Sequence, residues 1–305
     1  LAALPLAHSF GPNGALLAPL LAGATVAILE QFSPQGALRA IEHHGVTVLP
    51  AVATMFQMFQ RMLEVPSGSG VAFSGLRLAV SGAAPCSWDL AEAWRRRTGV
   101  RIVRGYGMTE LFRPISYLAD DPTDVPDAIG RPVPGVEARV VDPEGQELAA
   151  GETGELWIRT PAVMDGYLRA EKETLEVIQD EWFKTGDRAT ISPDGVVCVV
   201  GRMKDLILRG GYSVVPGEVE AALLDHPAVA EAAVVGTPHP ALGEDVVAFV
   251  TLRPGARADA DELVAFCRER LAAFKYPRRV ILVTELPKGA TGKVLKWRLG
   301  IPEGS

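Results

Sequence analysis

Cysteine is nearly missing from this 305-residue chain: only Cys86, Cys198 and Cys267 occur, far apart and without a C-x-x-C pair. Neither a disulfide framework nor a structural zinc site can be built from them, and a reducing, cytoplasmic setting is the default. Basic residues are also in short supply, with 30 Lys and Arg against 37 Asp and Glu and a net charge of -7. A protein whose main partner is nucleic acid needs a positive face, so no nucleic-acid role is expected. Long apolar runs are lacking as well. The most apolar stretch, residues 14–29, is interrupted by Pro19 and Gly23 and is too short to span a bilayer comfortably, so no transmembrane segment is expected. No signal peptide is expected before it. Internal repeats and low-complexity segments are absent. The first residue is Leu1, in mid-pattern, and the chain is expected to be a fragment of a longer protein.

What is present is a 48% hydrophobic content, enough for one large core or two smaller ones, and the 31 Gly and 23 Pro of a loop-rich globular protein. Glycine is densest between Gly186 and Glu220, which runs Gly-Asp, Gly-Arg-Met-Lys-Asp, Gly-Gly and Pro-Gly-Glu-Val-Glu. At Gly210 and Gly211 a ligand or another backbone can come close, or φ can turn positive. Asp187, Arg202, Lys204 and Asp205 crowd charge around them. The stretch reads as a joint between two domains where a polar, charged small molecule is handled.

Residues 1–127 alternate strand-like runs (25–29, 46–52, 76–80, 101–103) with helical patterns. Ser33-Pro34 opens one helix and Gly45 stops it; Met55, Phe56, Phe59, Met62 and Leu63 recur at helical spacing as a core stripe; residues 88–98 form a third. This alternation predicts an α/β layer with a parallel sheet. Ligands in such sheets sit beyond the carboxyl ends of strands, which points to loops at 81–85 and 105–110. Residues 128–202 change to short strands (136–141, 154–159, 196–200) split by Pro-Glu-Gly and Pro-Asp-Gly turns, predicting a small antiparallel, barrel-like subdomain of the same domain. Residues 203–305 change again, to helices at 216–224 and 259–274 and strands at 230–235, 246–252 and 280–283, predicting a smaller, mobile α+β carboxy-terminal domain.

Five motifs follow one another in this sequence: Tyr-Gly-Met-Thr-Glu at 106–110, Gly-Glu-Leu-Trp-Ile-Arg at 154–159, Thr-Gly-Asp at 185–187, Gly-Arg-Met-Lys-Asp at 201–205 and Pro-Lys-Gly-Ala-Thr-Gly-Lys at 287–293. Together they resemble the AMP-forming acyl-CoA synthetases of the adenylate-forming superfamily, over nearly the whole chain. The resemblance implies an acid–thiol ligase of fatty acid or related metabolism that uses ATP, Mg2+ and coenzyme A. It implies that Lys293 bridges the attacking carboxylate and the α-phosphate; three neighbouring basic residues offer a solvated basic tail as the alternative, which the flanking Gly-Ala-Thr-Gly pattern disfavours. Thr109 would offer its hydroxyl to the α-phosphate and Glu110 would ligate magnesium. Tyr106, beside Gly107, would lie against adenine, where an ordinary half-buried aromatic is the alternative. Asp187 would accept from the ribose hydroxyls and Arg202 would contact ribose or phosphate, against a turn aspartate and a surface ion pair. Gly82, Ala83 and Ala84 would be small where adenine and acyl chain pass, or simply form a tight turn. His8 would position substrate or be a satisfied structural histidine. Lys204 would be the hinge about which the smaller domain swings, presenting Gly210 and Gly211 in the 204–216 loop to the thiol.

The superfamily's Ser/Thr/Gly-rich phosphate loop is absent from residues 1–305 and is expected upstream, so these residues alone are expected to bind ATP poorly and not to turn over. Ser213 stands where many members have Asn, which implies a tuned thiolation step. Arg113 is read as a surface or ion-paired residue in preference to one facing an acyl pocket. His43, His44, His226 and His239 show no ligand spacing and read as surface or turn residues. The acid itself is expected to meet residues 52–58 and 81–84, an apolar lining that suits an aliphatic or aromatic acid. Two other functions stay open: an adenylation domain that loads a carrier protein, disfavoured by the lack of carrier sequence after Lys293, and a non-catalytic nucleotide-binding module. A homodimer is compatible with all three.

Overall fold

The computed structural model describes residues 1–64, 73–83, 86–117, 125–126, 128–289 and 292–299. They form two compact units, one built mainly from residues 1–185 and 189–199, the other from residues 186–188, 200–289 and the segment that begins at Lys293.

In the first unit, strands β1 (Val48–Ala51), β2 (Leu78–Ser81) and β3 (Ile102–Met108) pair in parallel, with Val48 opposite Leu78 and Ala79 opposite Ile102. The connecting helices start and stop where their sequences say they should. The Ser33 hydroxyl accepts from the amide of Gly36 at the head of Pro34–His44, and Ser87 caps Trp88–Thr98 through the amide of Leu90. Helix Ala53–Glu64 turns Phe56 and Phe59 into the core, where both are fully buried beside Trp94. The Trp94 ring meets Phe56 and Phe73 edge-on at 5.0 Å. Each such side chain contributes roughly 1.5–3 kcal/mol by leaving water, so this cluster fixes the helical layer on β1–β3. The 25–29 run makes only a single parallel bridge, Ala2 to Ile28, with Ile28 itself exposed, so no strand forms there.

The antiparallel strands do not close into a barrel. β4 (Phe112–Ser116), β5 (Ala128–Pro132), β6 (Glu137–Val141), β7 (Gly154–Arg159), β8 (Ile178–Gln179), β9 (Trp182–Ile191) and β10 (Val197–Arg202) continue the parallel layer in the order β1-β2-β3-β4-β5-β10-β9-β7-β6, with β8 on β9. The physical reason lies in β3. Its first half pairs with β2 and its second half with β4, so one seven-residue strand joins both kinds of ladder into one open sheet. Leu111, Ile115, Leu156, Ile158, Phe183 and Val197 form the core of the antiparallel part.

The second unit carries β11 (Ile207–Arg209), β12 (Tyr212–Val214), β13 (Val229–His239), β14 (Gly243–Leu252) and β15 (Arg279–Leu282), with β15 parallel to β14 and the other pairs antiparallel. β14 is buried on both faces, which is why it reads as a continuous apolar run. Val246, Ala248 and Val250 join the core that includes Val219 and Leu223 of helix Pro216–Leu224 and Leu263 and Cys267 of helix Ala260–Arg268. Val247 and Phe249 join Leu286, Val294 and Leu299 on the other side. The helix predicted for residues 259–274 stops at Arg268. Arg209, 4% exposed, donates to the carbonyls of Phe274 and Tyr276 and pairs with Asp245 at 2.8 Å, which holds that segment out of helical geometry. Among the described residues no helix is long and apolar enough to cross a membrane.

Candidate active site

The motif at 105–110 is mostly strand rather than loop. β3 runs through Met108, and only Thr109, Glu110 and Leu111 make the turn into β4. Tyr106 faces Ile115 across the ladder and Met108 faces Phe112, a one-residue shift that marks a bulge at Gly107. A Cβ at Gly107 would collide with the carbonyl oxygen of Phe112 and lie 3.1 Å from the Cα of Arg113. Glycine is therefore demanded here by close approach of β4. Phe112 itself has φ of 60°, a left-handed conformation that costs a bulky residue roughly 1–3 kcal/mol. Ala83, just past the end of β2, has φ of 66°. Backbone strain thus gathers beyond the carboxyl ends of β2 and β3.

A cavity of about 270 Å³ opens at that place, lined by His8, Phe10 and Asn13, by Gly82 and Ala83, by residues 105–110, and by Phe112 and Arg113. It brings together Gly82, Ala83, Tyr106, Gly107, Thr109, Glu110 and His8; Ala84 lies outside the described residues. A Cβ at Gly82 would meet the Phe10 ring at 3.2 Å. The Nδ1 of His8 accepts from the Phe10 amide at 3.3 Å, so the neutral ring carries its proton on Nε2. Residues 52–58 do not line the cavity, because Met55 and Phe56 are committed to the core.

Glu110 is held at two points. Its carbonyl accepts from the Met164 amide at 2.8 Å, and its Oε1 accepts from the Tyr167 hydroxyl at 3.0 Å. Partial burial, then the hydrogen bond to Glu110 and its charge, push the Tyr167 hydroxyl above its usual pKa. Tyr167 lies 57 positions from Glu110, and no spacing rule in the sequence reveals the pair. Among the described residues no three His, Cys, Asp or Glu side chains gather, so a divalent cation bound here would need oxygens from a ligand as well as Glu110.

Arg113 departs from expectation. Its guanidinium lies against the Cα face of Gly105, where a Cβ would collide with it. It is neither a surface residue nor ion-paired among the described residues: its Nε is buried without a hydrogen-bond partner, and burial lowers its pKa below the ordinary value.

The other candidates lie in the second unit. Asp187, 3% exposed, accepts from Arg202 Nε at 2.9 Å, so these two residues pair with each other. Lys204 sits exposed on the short 3-10 turn Met203–Asp205. The expected 204–216 loop is instead a tight hairpin, β11 to β12, with Arg209 opposite Tyr212. Its two-residue tip has φ of 58° at Gly210 and 83° at Gly211, the turn that demands two positive φ values. No atom lies within 4 Å of a Cβ built at Gly211, so backbone conformation alone accounts for that glycine. Lys293 is on a second hairpin, closed by the Gly289 amide to the Lys293 carbonyl at 2.9 Å and the Leu295 amide to the Pro287 carbonyl at 2.8 Å. Lys288 pairs with Glu231 and Lys296 with Glu220. Lys293 is exposed and makes no ion pair among the described residues. His226 is a turn residue but a buried one, its Nδ1 accepting from the Ala228 amide.

The candidate residues thus sit on an open mixed sheet, strained beyond the ends of β2 and β3, and on a separate, smaller sheet unit. The chain belongs to the AMP-binding enzyme family: that family's profile matches residues 1–168, and the profile of the AMP-binding enzyme C-terminal domain matches residues 218–293. It is 39% identical to a feruloyl-CoA synthase of Amycolatopsis sp over 299 residues, covering 97% of this chain and 60% of the relative. It is 37% identical to a long-chain-fatty-acid–CoA ligase of Salmonella typhimurium, covering 97% of this chain and 52% of that protein. Among solved structures, ATP-bound MatB from Rhodopseudomonas palustris superposes with a TM-score of 0.90 at 37% identity, covering 97% of this chain and 58% of MatB. O-succinylbenzoate coenzyme A synthetase from Bacillus subtilis, in complex with ATP and magnesium ion, superposes at 0.84 and 32% identity, covering 97% of this chain and 60% of that one. The chain therefore spans between half and two thirds of the length of these relatives.

Proposed function

We propose that the full-length gene product is an AMP-forming acid–coenzyme A ligase. In the first half-reaction a carboxylate oxygen attacks the α-phosphorus of ATP, the bond to pyrophosphate breaks, and an acyl-adenylate forms. In the second, the thiol of coenzyme A attacks the acyl carbon and AMP leaves. Two anions meet in the first step, so cations and hydrogen-bond donors between them lower the barrier. Lys293 supplies the cation to carboxylate and α-phosphate. Thr109 donates its hydroxyl to the α-phosphate, and Tyr106 offers a ring face to adenine. Gly82 and Ala83 leave room for adenine and the acyl chain, and Gly107 keeps the turn in place. Asp187 accepts from the ribose hydroxyls, with Arg202 shared between Asp187 and the nucleotide. His8 orients the acid through its Nε2 proton.

The Glu110 carboxylate, fixed by Tyr167 through one oxygen, suits a hard cation through the other. Glu110 would hold a magnesium ion together with oxygens of ATP, and that ion would supply positive charge against the phosphates. The hinge at Lys204 exchanges the two half-reactions, and the Gly210–Gly211 tip then faces the thiol arm. The named substrates of relatives, ferulate, long-chain fatty acids and O-succinylbenzoate among them, support a carboxylic acid, aliphatic or aromatic. A cytoplasmic enzyme, as monomer or homodimer, without nucleic-acid partners fits the composition.

The observation that carries this reading is the cavity that gathers Tyr106, Thr109 and Glu110 beyond β3. Lys293→Ala in the full-length gene product tests it. Acid-dependent ATP–pyrophosphate exchange should be lost, while thioester formation from a supplied acyl-adenylate is largely kept. Exchange at the wild-type rate would refute the role given to Lys293.

A further inference from the structure

The cavity holds a cation that the two half-reactions leave unused. Arg113 lines it, and its guanidinium has no carboxylate partner among the described residues. Arginine is almost never buried unless paired, because the lost hydration must be replaced. Here the chain also clears space for it: Gly105 lacks the side chain that would collide with the guanidinium, and Gly107 lets the Arg113 backbone approach to 3.1 Å of a Cβ position. Two glycines in one strand thus seat a charge that nothing in the described protein neutralises.

Position narrows what the partner is. Thr109 and Glu110 form the turn at the tip of the β3–β4 hairpin, whereas the Arg113 side chain folds back along β3 to Gly105. Three residues of strand lie between Gly105 and Thr109, on the order of 10 Å at the usual rise per residue once the turn is allowed for. The guanidinium therefore sits well away from the hydroxyl assigned to the α-phosphate. Phe10, Met108 and Phe112 give the same cavity apolar walls.

We propose that Arg113 is a specificity residue for the acid, and that the acid carries a second carboxylate remote from the one that is activated. The inference rests on the ligase reading above and names its substrate class: a dicarboxylic acid with an apolar linker. The planar guanidinium can take a carboxylate through two parallel hydrogen bonds, which fixes direction as well as charge. A monocarboxylic acid of equal length would leave the half-buried Arg113, with its buried Nε, unmatched, and so bind less well.

The test uses the full-length gene product, ATP, Mg2+ and coenzyme A with matched acid pairs of four to ten carbons, each monocarboxylic acid beside its α,ω-dicarboxylic counterpart, and reads AMP release and thioester mass. At one or more lengths the dicarboxylate should be favoured in kcat/KM by on the order of 10–100-fold, the worth of a hydrogen-bonded charge. Arg113→Met should collapse that ratio towards one, mainly through KM for the dicarboxylate, and Arg113→Lys should restore part of it. A monocarboxylate preference at every length in the unaltered protein, which needs no variant to fold, overturns the inference while leaving the ligase reading standing. So does an Arg113→Met protein that loses all acids equally while its KM for ATP rises, since that assigns the cation to the nucleotide. Failure of every acid to yield AMP overturns both readings.

Discussion

Replacing Gly107 by alanine sets one methyl group against the carbonyl oxygen of Phe112, at a separation that real Cβ atoms do not show. The obstacle is backbone, in a strand that cannot swing aside without breaking its ladder to β5. β4 must therefore move away from β3, and Thr109 and Glu110, which connect the two strands, must move with it. Overpacking of this kind costs about 1–3 kcal/mol. For a unit of this size that is a fall in Tm of about 2–12 °C. The catalytic loss should be larger than the stability loss, because a shift of about 1 Å in positioning groups can cost on the order of 100-fold in rate. ATP–pyrophosphate exchange measured well below Tm separates the two effects. The expected result is a protein that melts cooperatively but exchanges on the order of 100-fold more slowly. Wild-type exchange with an unchanged Tm would show that the bulge does not position the turn, and the structural argument for Thr109 and Glu110 would fail with it.

Two other outcomes follow from the second unit. Gly211→Asn should retain more thioester-forming activity than Gly211→Ala, since asparagine tolerates a positive φ and no neighbour fills the space around a Cβ there; equal loss in both would assign that glycine to ligand access instead. Cys267 is fully buried, and burial pushes its thiol from 9.0 up to about 11. As pH rises the unfolded thiol ionises first, so the native state holds the extra proton and its stability, intact below pH 9, falls between pH 9 and 11. Melting curves over that range should show a steeper decline than those of Cys267→Ala, and coincident slopes would refute this account.

Local signals made much of the architecture legible. Ser33 and Gly45 marked helix ends because a cap is a property of a few consecutive residues. The 154–159 run was read as a strand with its bounds as they stand, since apolar Leu156 and Ile158 alternate with Glu155 and Arg159. What escaped was long-range. The barrel-like expectation failed because nothing within 128–202 tells that β4 and β5 graft onto β3. The 259–274 helix was over-extended because the buried Arg209 that captures the carbonyls of Phe274 and Tyr276, at and just past its expected end, lies over sixty residues upstream. At the candidate site, residue types were legible and partners were not. Tyr167 was invisible, Asp187 and Arg202 were read separately although they pair, and Arg113, read as surface or ion-paired, is neither among the described residues.

The double membership of β3 also bears on the order in which this unit assembles. Its pairing with β4 closes across three residues and belongs to the microsecond class of hairpin events, about 1–10 μs in isolation. Its pairing with β2 must wait for the chain between Ser81 and Ile102 to cross over as a helix, a non-local step and a slower one. The Thr109–Leu111 turn can thus take shape while the parallel layer is still forming, and a nascent chain halted after β4 already carries that turn. Pulse-labelling hydrogen exchange should find the β3–β4 amides protected before those of β1 and β2.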